Sequence, residues 1–209
     1  MLDHLVLATL DLEATAAEVA SATGVTPSVG GPHVGRGTRN ELCSFGNGTY
    51  LEIIGPDPSQ PEPDQPPPFG MDRLAGPGIV TWCAKGSDLG GLVARAQAAG
   101  LAMVGPEPMQ REAPEGLLSW ELALPAFDIE GGIVPFFIDW ADSAHPSTTA
   151  APGLTLAELV GLHPDPEAVG ATLELFDVSV AVRAAPKAGM MATLEGPAGS
   201  LTIGPAEYE

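Results

Sequence analysis

The chain has 209 residues, 44% of them apolar, with 27 acidic side chains against eight basic ones and a net charge of −19. So acidic a surface repels nucleic acid and anionic membranes, which are bound mainly through Lys and Arg, and both classes of partner are excluded. The apolar residues are spread along the chain in numbers that allow a buried core. Global disorder is thereby excluded, and the length suits one large domain or a domain with an appended subdomain.

Leu2 to Ala8, LDHLVLA, reads as a strand. Asp11 sits where an N-cap belongs, and Leu12 to Ala22 reads as a short helix closed by Gly24. A short strand is allowed near 26–30 in a Gly/Pro-rich stretch. Arg39–Phe45 and Thr49–Ile54 then read as strands joined by Gly46-Asn47-Gly48, a hairpin signal. Residues 56–77 are proline-rich, with PEPDQPPP at 61–68, and read as a stiff extended crossing over the surface.

The same order of elements then begins again. Gly78–Ala84 reads as a strand, Ser87 or Asp88 caps a helix to Ala99, and strands follow near 101–111, 117–124 and 133–140, with a turn at Glu115-Gly116. Asp11 lies seven residues after His4 and Asp88 seven after Thr81. A weaker third copy follows residues 141–153: a strand at Leu154–Leu162, a helix from Asp165 or Pro166 to Phe176, and strands near 178–184, 189–195 and 199–203. Units of about 50 residues repeated in this way indicate a duplicated supersecondary module.

Cys43 and Cys83 lie inside apolar runs and are expected as buried thiols. No basic leader precedes the first strand and no apolar run is long enough to span a membrane, so a cytoplasmic location is expected. No nucleophile elbow, Walker-type loop or C-x-x-C pair is present, and Gly35-Arg36-Gly37 is not followed by a helix.

LDHLVLA at 2–8, GRGTRN at 35–40, YLEIIGPDP at 50–58 and PFFIDW at 135–140 followed by His145-Pro146 together resemble the vicinal-oxygen-chelate superfamily. The likeness is to its glyoxalase-like branch of bacterial proteins, relatives of glyoxalases, bleomycin-resistance proteins and dioxygenases. It covers residues 1–146, with the remainder matching loosely. The resemblance implies an α/β (α+β) fold in which paired βαβββ modules form a curved open-sheet cup. The modules are expected at 1–58 and 78–141, with the proline-rich crossing at 59–77. A connection and a degenerate third module are expected over 142–209. It also implies a divalent metal (zinc, iron, nickel or manganese) held by one ligand from the first strand and one from the last strand of each module. His4 and Glu52 match the first pair. The second pair falls near Thr81 and Phe137, which offer neither imidazole nor carboxylate, and Asp139 would substitute if the register slipped.

Each candidate carries two readings. His4 is a metal ligand or a hydrogen-bonded structural histidine. Glu52, inside a buried strand, needs either a partner such as an arginine or a chemical role as ligand or general base. Arg36, Arg39 and Asn40 would bind a carboxylate, phosphate or enolate oxygen, or else pair with Glu41 or Glu52. Trp82, Trp120 and Trp140 are core, or an apolar wall for a ring or acyl chain. His145 is solvent-exposed, or swings over the cup as acid, base or ligand. The expected function is a small-molecule enzyme of lyase, isomerase or dioxygenase type, with a small-molecule ligand and a homodimer as partners. The alternatives are metal-independent binding or sequestration in the same cup, and a remnant cup serving assembly through its open sheet edges.

Overall fold

Among the described residues, each of the three α-helices starts at an aspartate whose carboxylate accepts a hydrogen bond from the backbone three residues on. Asp11 caps α1 (Leu12–Thr23) through Ala14 N, Asp88 caps α2 (Leu89–Ala98) through Gly91 N, and Asp165 caps α3 (Pro166–Glu174) through Ala168 N. These bonds satisfy amides that the first turn leaves open, and they set where each helix leaves its strand. The computed structural model describes residues 1–113, 116–125 and 129–209. Part of the turn expected at Glu115-Gly116 lies outside the described residues.

The strands are β1 (Leu2–Ala8), β2 (Ser28–His33), β3 (Thr38–Gly46), β4 (Thr49–Pro56), β5 (Gly78–Lys85), β6 (Met103–Ala113), β7 (Gly116–Pro125), β8 (Phe136–Asp139), β9 (Thr155–His163), β10 (Ala181–Ala184), β11 (Gly189–Gly196) and β12 (Gly199–Ile203). The first eight form one mixed sheet in the order β2-β3-β4-β1-β5-β8-β7-β6. In each half, the strand before the helix pairs in parallel with the last strand of that half: Leu5 with Leu51, and Cys83 with Phe136. The halves join where β1 meets β5 antiparallel, with Leu5 opposite Trp82. The fold is therefore the expected α+β cup of paired βαβββ modules. At its first hairpin, Asn47 and Gly48 both take positive φ, as a two-residue turn between twisted strands requires.

Alternation along the strands divides most of the buried apolar residues between two clusters, with Leu42, Tyr50 and Ala150 forming a small third. Leu5, Leu7, Leu51, Ile53, Trp82 and Phe137 face the helices and the C-terminal unit. Val6, Ala8, Ile54, Val80, Phe136 and Ile138 line the concave side. The last four strands form a separate sheet, β10-β9-β11-β12, in which β9 pairs in parallel with β10, the strand immediately after α3. The element order of the first two units is kept while the pairing changes, the sense in which this third copy is degenerate. Among the described residues no helix is long and apolar enough to cross a membrane.

The proline-rich crossing is more than a surface linker. Pro68–Arg73 folds into a short 3-10 turn, burying Met71 and bringing Phe69 to the cup. Residues 204–209 run beneath it. Ala206 N donates to Ile79 O, Ala75 N to Glu207 O, and Glu209 N to Arg73 O, while the Tyr208 hydroxyl donates to Phe69 O at 3.3 Å. Gly78 makes this close approach feasible, because a Cβ there would lie 2.5 Å from the Ala206 backbone. Gly78→Ala is expected to cost about 1–3 kcal/mol of stability, read as a drop in Tm. An unchanged Tm would show that the tail is not held against β5.

Candidate active site

The concave face encloses a cavity of about 330 Å³ whose polar side comes almost wholly from the first module. A register shift between Leu2 and His4 leaves Asp3 as a bulge in β1. A bulge interrupts the alternation of side chains, so Asp3 and His4 act together. Asp3 Oδ1 is 2.8 Å from His4 Nδ1, and Asp3 Oδ2 is 2.9 Å from His145 Nε2. With Asp3 ionised, His4 donates its Nδ1 proton to that carboxylate and turns Nε2 toward the cavity.

Glu52 on β4 holds the centre of the polar side. One oxygen lies 3.6 Å from His4 Nε2 and the other 3.4 Å from His33 Nε2. Asn40 Nδ2 donates to Glu52 Oε1 at 2.6 Å and also sits 3.1 Å from His33 Nε2. The orientation of that amide follows from Gly31 N, which donates to Asn40 Oδ1 at 3.0 Å. Residue 30 must be glycine for the same reason, since a Cβ would fall 2.2 Å from Asn40 Oδ1. His33 Nδ1 is fixed by Thr38 Oγ1 at 2.9 Å.

Both carboxylates stay ionised. Burial pushes the Glu52 carboxyl up, but the His33 hydrogen bond, the charges of His33 and His4 and the Asn40 amide outweigh it and hold the group at about 2. Burial likewise raises Asp3, and the hydrogen bonds from His145 and His4 overcome it, taking the group well below the usual carboxylate range.

The opposite wall, from the second module, is mainly apolar, with Thr81 and Gln110 as its polar side chains besides the tryptophans. Trp120 and Trp140 lie with ring centroids 5.3 Å apart, and Phe136 packs edge-on to His4 at 5.3 Å. Leu122, Leu124, Ile138 and the Phe69 ring complete it. Tyr50 stacks on His4 at 4.7 Å.

The structure brings His4, Glu52, Asn40, Arg36, Trp120 and Trp140 to this cavity. It places four other candidates elsewhere. Trp82 faces the helices and donates to Ile133 O, so it is core, because its neighbours in alternation point into the cup. Arg39 pairs with Glu13 on α1, outside the cavity. Asp139 follows Phe137 onto the side away from the cup, where its carboxylate accepts from Ala141 N. His145 does not line the cavity; its Nδ1 contacts Ser147 Oγ, and its Nε2 reaches Asp3 from behind. The partner of Glu52 is a pair of imidazoles and an amide, not an arginine. Sequence reasoning missed His33 and Asp3. The signal for Asp3 was a carboxylate in an otherwise apolar buried strand; the signal for His33 was weaker, lying in a stretch read as loop.

The donor set does not fit a metal that chelates substrate from both modules. His4 and Glu52 supply the first pair, but the Thr81 hydroxyl is bonded to Gly132 O, and β8 shows the cup Phe136 and Ile138. Asp3, His4 and Cys83 place three potential donor atoms within 4.8 Å of one another. Asp3 and Cys83 are fully buried and do not line the cavity. Burial and the nearby carboxylates keep the Cys83 thiol protonated, and the Asp3 oxygens already serve two imidazoles. An ion there would be closed to substrate.

The sequence profile of a family described as a glyoxalase-like domain matches residues 2–176. No curated protein matches the chain in sequence. Among solved structures, a hypothetical protein from Staphylococcus aureus superposes with a TM-score of 0.62 at 17% identity, covering 99% of this chain and 88% of its own. Methylmalonyl-CoA epimerase from Mycobacterium tuberculosis gives 0.47 at 20% identity over 67% of this chain and 87% of its own. A methylmalonyl-CoA epimerase variant from Streptomyces coelicolor, in complex with 2-nitronate-propionyl-CoA, gives 0.49 at 17% over 68% and 96%. The Staphylococcus aureus match establishes a common fold.

Proposed function

Because the chain belongs to the glyoxalase-like domain family, we propose that it is a small-molecule enzyme, and that its reaction is proton transfer at a carbon beside a carbonyl. The observation that carries this reading is the Asp3–His4 pair, with Nε2 turned into the cup 3.6 Å from Glu52. His4 Nε2 takes the proton from carbon. The C–H electron pair becomes the C=C bond and the carbonyl π pair moves onto oxygen, giving an enolate. Reversal at the same carbon or its neighbour gives an epimer or isomer, with no net change of oxidation state. Asp3 holds the ring in the required tautomer and offsets the charge it gains, the role of a buried carboxylate behind a catalytic imidazole. Glu52 is a positioning anion between the two rings, and Asn40 fixes it.

Small 2-oxo and 2-hydroxycarbonyl compounds incubated with the protein in D2O and followed by proton NMR provide the test. Exchange of the C–H is expected with one or more of them, lost in His4→Ala and unaffected by dialysis against a chelator. Exchange that vanishes on chelation and returns with zinc, iron, nickel or manganese would overturn the metal-free step. A second reading, ligand binding without turnover, is favoured by the second-module wall, which carries neither a histidine nor a carboxylate among the described lining residues. Binding in the cup with no exchange by any compound would establish it.

A further inference from the structure

The cup is divided between two chemistries. Its floor carries the ionised Glu52 with Asp3 behind it, and its second-module wall is built of Trp120, Trp140 and Phe136. Any anionic group on a ligand must therefore lie away from Glu52, and the cavity has one place for it. Arg36, in the loop between β2 and β3, is the sole lysine or arginine among the described lining residues. Its Nη2 lies 2.7 Å from Glu107 Oε1 on β6, the far edge strand of the same sheet. The sheet curls far enough to bring Arg36, which lines the cavity, against Glu107 on the opposite edge.

Both side chains of the pair are about two-fifths exposed, at 39% and 41%. An ion pair so open to water holds weakly, whereas a guanidinium given a carboxylate at a cavity rim forms a stronger, geometrically matched contact. We propose that the cup takes amphipathic carboxylates, an aromatic or acyl group against the tryptophans with the carboxylate on Arg36. Glu107 is then the specificity-determining residue that the ligand carboxylate displaces. The inference rests on reading His4 and Glu52 as the reacting end, since that orientation sends the anion to the rim.

The probes are 4-phenylbutanoate and its neutral amide, matched in shape and different in charge. Binding is read by calorimetry and by tryptophan fluorescence, in which Trp120 and Trp140 report the cup and the buried Trp82 is a constant background. Wild-type protein is expected to bind the acid about 10-fold more tightly than the amide. Glu107→Gln should tighten the acid severalfold and leave the amide unchanged. Arg36→Gln should remove the difference while retaining amide binding. Equal affinity for acid and amide in the wild type, or no binding of either, overturns the proposal, as does equal loss of both in Arg36→Gln. An acid-over-amide preference in wild-type protein that exchanges no C–H in D2O leaves this result standing while the proton-transfer step fails, so the two are told apart.

Discussion

Asp3→Asn is expected to slow proton transfer in the cup by on the order of 10²–10⁴-fold. The carboxylate accepts from both His4 Nδ1 and His145 Nε2, and an amide cannot accept from both with its two ends. An amide nitrogen turned toward His4 would need a lone pair on Nδ1, which moves the ring proton to Nε2 and removes the base from the cup. Loss of the carboxylate also removes the counter-charge on the Nδ1 side of the protonated ring and leaves Glu52, 3.6 Å from Nε2, to offset it. The variant costs stability too, about 1–3 kcal/mol for a buried group with an unmatched partner. The rate is therefore compared at a temperature where circular dichroism shows both proteins folded. An unchanged exchange rate would remove Asp3, and with it the tautomer argument, from the mechanism.

Acid should unfold this protein through the same carboxylates. Glu52 is held at about 2 in the fold against an ordinary 4.5, and Asp3 is lowered in the same direction. A group whose folded pKa is depressed contributes stability above its unfolded pKa and loses that contribution as pH falls toward the folded value. The Glu52 contribution amounts to roughly 3 kcal/mol, present above about pH 4.5 and lost between there and pH 2. The surface acts in the opposite sense. With a net charge of −19, protonating exposed carboxylates relieves self-repulsion. Those charges are screened and separately weak, so they raise stability only slightly before the buried pair titrates. Urea midpoints measured from pH 8 to pH 2.5 should rise gently to about pH 5 and then fall steeply. Glu52→Gln should be less stable at pH 7 and show a shallower fall. A midpoint that keeps rising below pH 4 would contradict the electrostatics described for the floor.

Much of the fold is legible in the sequence because its punctuation is chemical. The three capping aspartates, Gly24 and the Gly46-Asn47-Gly48 turn each serve one local geometry, and the element order followed from them. The faces of β8 were harder. Phe137 and Phe136 are equally apolar, so composition could not say which one faced the cup, and a shift of one residue exchanges the two sides. Asp139 followed the same uncertainty away from the site. Strict alternation put Asp3 opposite His4; only the bulge reunites them, and a bulge depends on the partner strand β5 across more than 70 residues of chain. His33 depended on β2, which has two glycines and a proline and thus almost no pattern. Arg36 and Arg39, three residues apart, looked interchangeable, yet one turns to the rim and the other to α1.

The tail at 204–209 imposes an order on biosynthesis. As the chain leaves the ribosome, both halves of the cup are available long before the six residues that hold the Phe69 segment from beneath. Until those residues arrive, the Phe69 ring lacks the support that sets it 6.0 Å from Phe136 at the cup. Ligand present during translation would meet a wider site than the folded residues 1–209 offer.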